Sequence, residues 1–209
     1  MGHKINPLSN RLGIIFNWKS SWVNNYKKNI YEDYNIRKLI NSQKYKYYIS
    51  CIYIERFKKK INIIISTSRP AMLIGKLGKK IKEIKKKIEK LLLKKYIVFL
   101  NIKEIKELQD SSLLVAKNIA LQLEQKRPYK KVIKYMINFL FKKNISGIKI
   151  KISGRLNGNE IARSEFFQKG IIKSSTFRAN IDYDLYEMLT KYGIISIKVW
   201  IMKGELYKI

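Results

Sequence analysis

The stretch Ile74-Gly75-Lys76-Leu77-Gly78-Lys79-Lys80 decides how the first half of this chain is read. Two glycines three residues apart remove the side chains that would hold a sugar-phosphate strand away from the main chain. The next segment is helical in pattern. Ile81, Ile84, Ile88, Leu91 and Leu92 recur at three- and four-residue intervals, with Lys79, Lys82, Lys86, Lys87 and Lys90 opposite them. The start of such a helix offers unpaired N–H groups and a positive dipole end to an anion. Lys76, Lys79 and Lys80 add formal charge at the same spot. The competing reading is a plain Gly-rich turn, because two spaced glycines alone are a short pattern.

The flanking sequence discriminates between the two. Residues 48–55 and 61–66 are rich in β-branched and aromatic side chains and read as strands, with Lys58-Lys59-Lys60 as a hairpin turn between them. A short helix over 33–43 places Ile36, Leu39 and Ile40 on one face, and Ser68-Arg69-Pro70 breaks the second strand. Residues 96–105 return to strand, with Val98, Leu100 and Ile102 on one side and Asn101 and Lys103 on the other. Helix, strand, strand, loop, helix, strand is the order of a type II KH domain, whose loop clamps about four nucleotides by their backbone. Trp18 and Trp22 precede it as packing anchors rather than base-stacking platforms. Cys51, among Ile49, Ile52 and Ile54, reads as a core filler.

Residues 107–111 look like a joint, after which Ser111 or Ser112 caps a helix running to about residue 125. Pro128 suits the first turn of another helix, which carries Val132, Ile133, Met136, Ile137 and Leu140 inward and is ended by Gly147. Ile148, Ile150 and Ile152 then alternate with Lys149, Lys151 and Ser153, a half-buried strand with one cationic face. Further strands fit 176–183 and 195–202.

Composition bounds the function. The chain has 209 residues, 45 Lys and Arg against 15 Asp and Glu, and a formal charge of +30 at pH 7. A folded chain with that excess repels itself unless a polyanion neutralises it, and nucleic acid is the usual polyanion. Hydrophobic residues make up 46%, enough for a core. No segment approaches the ~20 apolar residues of a membrane span, and the start lacks a signal-peptide stretch, so the protein is expected to stay where it is made. With one His, His3, and one Cys, Cys51, a His/Cys zinc site cannot be assembled within the chain, and a His-dependent nucleophile would have to recruit His3 from the N-terminal arm. There is no phosphate-binding loop of the NTPase type. Asp182 and Asp184 are read as a strand-end pair offsetting nearby lysines, which leaves a carboxylate nuclease as the weaker alternative. No cofactor, metal, small-molecule substrate or membrane contact is expected.

Two further constellations stand out. Arg127, Lys130, Lys131 and Lys134 include two i,i+4 pairs with nothing acidic among them, at a cost of about 0.2–0.5 kcal/mol per like-charge pair. They read as a phosphate-facing track or as a solvated surface of a Lys-heavy chain. Residues 154–165 form a polar loop between strands, in which Glu160 and Glu165 orient Arg155 or Arg163 toward phosphate or a neighbour, or make a structural salt bridge.

Several ordered stretches together resemble one family. They are Met1-Gly2-His3-Lys4-Ile5-Asn6-Pro7, Arg11-Leu12-Gly13, Ile54-Glu55-Arg56, Ile74 to Gly78, Ser153-Gly154-Arg155-Leu156-Asn157-Gly158, Glu160 to Glu165, Arg178 to Tyr183 and Ile197 to Glu205. The chain is similar nearly end to end to the bacterial-type S-three family of the small ribosomal subunit. The resemblance implies an α+β protein. It has a basic arm over 1–16, a KH type II domain over 17–108 with α-helices on a three-stranded mixed sheet, and a C-terminal α/β domain over 109–209 with two helices on a mostly antiparallel sheet. It implies a non-enzymatic constituent of the subunit head, bound to 16S-type rRNA beside proteins S-ten and S-fourteen, with S-two nearby. It also implies a position at the tunnel through which mRNA enters, where the helix of Arg127, Lys130, Lys131 and Lys134 helps to unwind mRNA without ATP. Lys4, Asn6, Arg11, Arg155, Arg163 and Arg178 are the expected rRNA or protein contacts. Cytoplasmic ribosomes of a bacterium with an A/T-rich genome are the expected setting, with an organelle as the alternative. The chain departs from the family in having Lys at 130 and 131 where Arg is usual, in lacking Arg, Pro and His over 170–175, and in stopping at Ile209 without a basic tail.

Overall fold

The computed structural model describes residues 5–23, 25–42, 46–93, 95–107, 111–142 and 145–207. His3 and Lys4, Gln43, and residues 108–110 of the expected joint lie outside them. The chain divides into two compact units, Trp18–Lys106 and a second made of Met1–Asn17 with Glu107–Ile209. The basic arm thus belongs to the C-terminal unit.

In the first unit β1 (Ser20–Ser21), β2 (Ile49–Phe57), β3 (Lys60–Thr67) and β4 (Ile97–Glu104) form one mixed sheet in that order. The β2–β3 hairpin is antiparallel, and β1 and β4 add parallel strands at its two edges. The expected three strands are therefore joined by a fourth, two residues long. Arg37 secures it, donating to the Lys19 and Ile52 carbonyls and to Ser20 Oγ. Three helices accompany the sheet: α1 (Tyr26–Asn41), α2 (Pro70–Ile74) and α3 (Lys79–Leu91). The core is nearly all isoleucine. Ile52 and Ile54 of β2 and Ile61, Ile63 and Ile65 of β3 point to one face, where they meet Ile36 and Ile40 of α1 and Ile84 and Ile88 of α3. Each such side chain contributes about 1.5–3 kcal/mol.

α1 begins well before the expected residue 33, because its first two turns, residues 26–32, hold a single aliphatic residue, Ile30, and carry little apolar periodicity. β3 ends at Thr67, just before Ser68-Arg69-Pro70, as expected, and Pro70 also opens α2 at the position where a missing N–H costs nothing. Cys51 is only half-buried, out of phase with Ile52 and Ile54. Trp18 is 71% exposed and is not a packing anchor, whereas Trp22 donates to Asp33 and packs edge-on to Tyr26.

The second unit holds α4 (Ser112–Glu124), α5 (Tyr129–Phe141), β5 (Gly147–Gly154), β6 (Arg163–Gly170), β7 (Ala179–Thr190) and β8 (Gly193–Glu205). The sheet order is β6-β5-β8-β7, antiparallel throughout. Ile148, Ile150 and Ile152 with Ile195, Ile197, Val199 and Ile201 form the face on which α4 and α5 pack. Three expectations change here. Gly147 does not end α5, which stops at Phe141. It opens β5, where a β-carbon would collide with the Ile171 carbonyl. Within 154–165, expected as loop throughout, Arg163 already starts β6. Its edge position leaves most of that strand exposed, so little apolar alternation marks it. Strands β7 and β8 run well past the expected limits as one long hairpin.

Candidate nucleic-acid interface

β3 ends at Thr67 and the chain passes through α2 into the Gly75–Gly78 turn. Gly75 has φ +70° and ψ 176°, a region that only glycine occupies readily, and Gly78 has φ +69° at the residue preceding α3. No side chain caps α3 and its first turn holds no acid, so its positive end is left open to an anion. A β-carbon built on Gly78 finds nothing within 4 Å. The space above this turn is what a phosphodiester backbone needs. Lys76 and Lys79 are exposed and Lys80 half-buried, its ammonium 3.5 Å from the Met72 carbonyl oxygen. Leu77 stands 90% exposed at the tip. The structure thus brings all six expected residues of this loop to one surface.

Lys130, Lys131 and Lys134 project from the exposed side of α5, opposite Val132, Ile133, Met136 and Ile137, and Arg127 is exposed just before the helix. Pro128 precedes the helix rather than lying in its first turn. It supplies no side-chain cap, and the first turn contains no acid. A second helix N-terminus is thereby surrounded by cations.

Residues 35–109 match the family described as KH domain, and residues 119–201 match that described as Ribosomal protein S3, C-terminal domain. The small ribosomal subunit protein uS3 of Karelsulcia muelleri is 52% identical over 207 residues, covering 99% of this chain and 91% of that protein. Those of Azobacteroides pseudotrichonymphae and Flavobacterium psychrophilum are each 47% identical over 209 residues, covering 99% of this chain and 84% and 82% of theirs. The chain belongs to the ribosomal protein S3 family. That is a family of structural ribosomal proteins rather than enzymes, in keeping with the expectation of no catalytic site.

The remaining expected contacts of this S3-family chain fall into separate groups. Arg11 is a correction, for it is fully buried and spent inside the fold. Its guanidinium donates to the carbonyls of Ala179 (2.6 Å), Pro7 (2.9 Å), Thr176 (2.8 Å) and Ser174 (3.0 Å), with Lys173 at 3.5 Å. Burial lowers its pKa. The divergent 170–175 segment is held here by its backbone, which is indifferent to the side chains it carries. Asn6 accepts the Leu8 N–H in a local turn.

Arg155 is not oriented by Glu160 or Glu165. It donates to the carbonyls of Asn159 (2.8 Å) and Tyr192 (3.3 Å), so it ties the turn after β5 to the β7–β8 hairpin end. Glu165 accepts instead from the Tyr129 hydroxyl at 3.0 Å; burial first, and then this bond, pushes the phenol pKa up. Arg163 is exposed at the start of β6. Arg178 is exposed and donates through Nε to Glu205, which also accepts from Lys173. These two bonds, Lys173 first, hold the Glu205 carboxyl down at about 2.

Asp182 and Asp184 lie within β7, not at a strand end. Asp182 accepts the Ser112 N–H at 2.6 Å and Asp184 the Ser112 hydroxyl at 3.5 Å, so both carboxylates sit at the start of α4. Ser111 caps the same helix by accepting from Leu114 N–H. Sequence reasoning also missed Arg56, whose matched motif suggested no role. Burial lowers its pKa, but bonds to Glu32 (2.6 Å) and Asp33 (2.5 Å) outweigh that and raise it. Among the described residues, no group of three or more His, Cys, Asp or Glu is arranged to hold a metal, and no helix is long and apolar enough to cross a membrane.

Proposed function

We propose that this chain is an RNA-holding constituent of the small ribosomal subunit. It binds 16S-type rRNA in the subunit head and lines the tunnel through which mRNA enters. The observation that carries the reading is the open, uncapped start of α3 behind Gly78, with no protein atom near the missing β-carbon and Lys76, Lys79 and Lys80 around it. Bare backbone, a positive dipole end and ammonium groups together match a phosphodiester strand.

The Lys130/Lys131/Lys134 face of α5 is the mRNA-guiding surface in this reading. Ammonium groups grip phosphates as point charges rather than as bidentate forks, so they hold a strand without fixing its register. Transient opening of a duplex in front of them is then captured as separated strands. Arg163 and Arg178 remain at the surface for rRNA or for neighbours, with S-ten, S-fourteen and S-two as the proposed protein partners. The relatives' bacterial hosts favour a bacterial ribosome as the setting.

The test is translation of messages with and without stable hairpins by subunits carrying Lys130→Ala, Lys131→Ala and Lys134→Ala together. The triple variant slows on hairpins while subunit assembly is unchanged. Equal rates on the two kinds of message refute the guiding role.

A further inference from the structure

Beside the cationic face of α5 lies a groove of about 480 Å³, inside the ~300–1,000 Å³ range of small-ligand clefts. Its walls are Asn118 and Gln122 of α4, and Lys131, Tyr135 and Phe139 of α5, with Arg127 and Pro128 at one end. Lys131, Tyr135 and Phe139 are four residues apart, so they line up along one face of the helix with about 6 Å of rise per step. The Tyr135 and Phe139 rings are nearly parallel, 16° between planes and 6.3 Å between centroids. Tyr135 is 63% exposed. A large aromatic left in water beside a row of cations is poor packing for a monomer and good recognition chemistry.

We propose that this groove seats a nucleobase of unpaired RNA, stacked against Tyr135 and Phe139 while Arg127 and Lys131 hold the adjoining phosphates. The proposal rests on the reading of the Lys130/Lys131/Lys134 face as an RNA track and adds base capture to it. A duplex buries its bases in the stack, whereas a separated strand presents them, so only the opened form gains the aromatic contact. The amides of Gln122 and Asn118, hydrogen-bonded to each other at 3.0 Å, put polar groups on the opposite wall for a base edge. The outer face of the C-terminal sheet is a weaker candidate, because the Lys149 ammonium already lies 5.0 Å from the Phe166 ring and 5.7 Å from that of Trp200.

The test uses the full chain with a short single-stranded RNA containing 4-thiouridine, photo-crosslinked and mapped by tryptic peptides. An adduct on the peptide spanning residues 135–142 is expected. In parallel, affinity is measured for a normal strand and for one with abasic sugars. Tyr135→Ala weakens binding of the normal strand on the order of ten-fold, as loss of one base–aromatic stack does. It leaves the abasic strand unchanged, and Tyr135→Phe restores the affinity. Equal loss on both strands, no loss, or adducts confined to residues 18–106 overturns the base seat. The phosphate track is judged separately, by the salt dependence of the Lys130/Lys131/Lys134 variant. A loss of salt dependence there with no effect of Tyr135→Ala retains the track and removes the seat. In assembled subunits, a cross-link from this peptide to protein instead of RNA also overturns it.

Discussion

The Lys80 stem occupies the place where Gly75 would carry a β-carbon: built on the backbone, that carbon lies 2.7 Å from Lys80 Cγ and 2.8 Å from Cδ. The two glycines of the loop therefore differ in purpose. Gly75 makes room for a side chain of the protein itself, and Gly78 leaves room outside it.

Alanine substitutions separate the two roles. Gly75→Ala combines a forbidden backbone region with this collision and lowers stability by about 1–3 kcal/mol in urea unfolding. Gly78→Ala meets only the left-handed penalty of about 1–2 kcal/mol. Gly78→Asn, a residue that tolerates this conformation, unfolds close to the parent. Replacing both glycines with Asp adds two negative charges at the phosphate seat, and a filter-binding assay should show a clear drop in RNA affinity. Undiminished affinity there removes the clamp.

Arg11 holds the arm and the 170–176 segment to β7 entirely through carbonyl oxygens. Arg11→Lys keeps the charge but supplies a single ammonium for acceptors that surround a planar fork. A loss of about 3 kcal/mol in unfolding free energy is expected, since buried carbonyls are left without donors. Amide hydrogen exchange should quicken near residues 173–179 and much less in residues 49–67.

Glu205 supplies a pH signature. Its folded pKa of about 2 lies below the ordinary 4.5, so its contribution is present above pH 4.5 and is lost as pH falls from 4.5 toward 2. NMR titration of the Glu205 carboxyl should show the low midpoint, and Lys173→Ala should raise it. Glu205→Gln removes this part of the acid destabilisation.

Salt dependence reports phosphate contacts on α5. Binding to single-stranded RNA varies with salt with a slope of about −0.7 per contact. Removal of Lys130, Lys131 and Lys134 should therefore flatten the slope by about 2. An unchanged slope means that those ammonium groups face solvent alone.

Asp182 is a helix partner, and its replacement should behave accordingly. Asp182→Asn removes the charge facing the start of α4 and costs about 1 kcal/mol in thermal or urea unfolding. Metal-dependent RNA cleavage abolished by this substitution would instead revive the nuclease alternative.

Much of the fold was legible because its core elements carry strong periodicity. The Ile148/Ile150/Ile152 alternation and the Ile84/Ile88/Leu92 stripe each face a single buried surface, and that surface imposes the pattern on the sequence, whereas Leu91, counted in the same stripe, is exposed. Edge elements escape the same logic. β6 and the first turns of α1 bury little, so nothing forces apolar residues into register there. The loop residues Gly75 to Lys80 could be read as a group because they are consecutive. The groove on α5 could not, since its opposite wall, Asn118 and Gln122, is brought to it from another helix.

The order of residues alone established a basic RNA-binding chain, a glycine turn feeding an amphipathic helix, and a single histidine, His3, in the N-terminal arm. These are properties of composition and local period, which need no knowledge of distant neighbours. Tertiary structure decided what the arginines and carboxylates do. Arg11 turned inward to the Ala179 carbonyl, Arg155 to the Tyr192 carbonyl at the β7–β8 turn, Asp182 to a helix start seventy residues away, and Arg56 to Glu32 and Asp33. A polar side chain takes whichever partner the fold brings within about 3 Å, and that partner is remote in sequence.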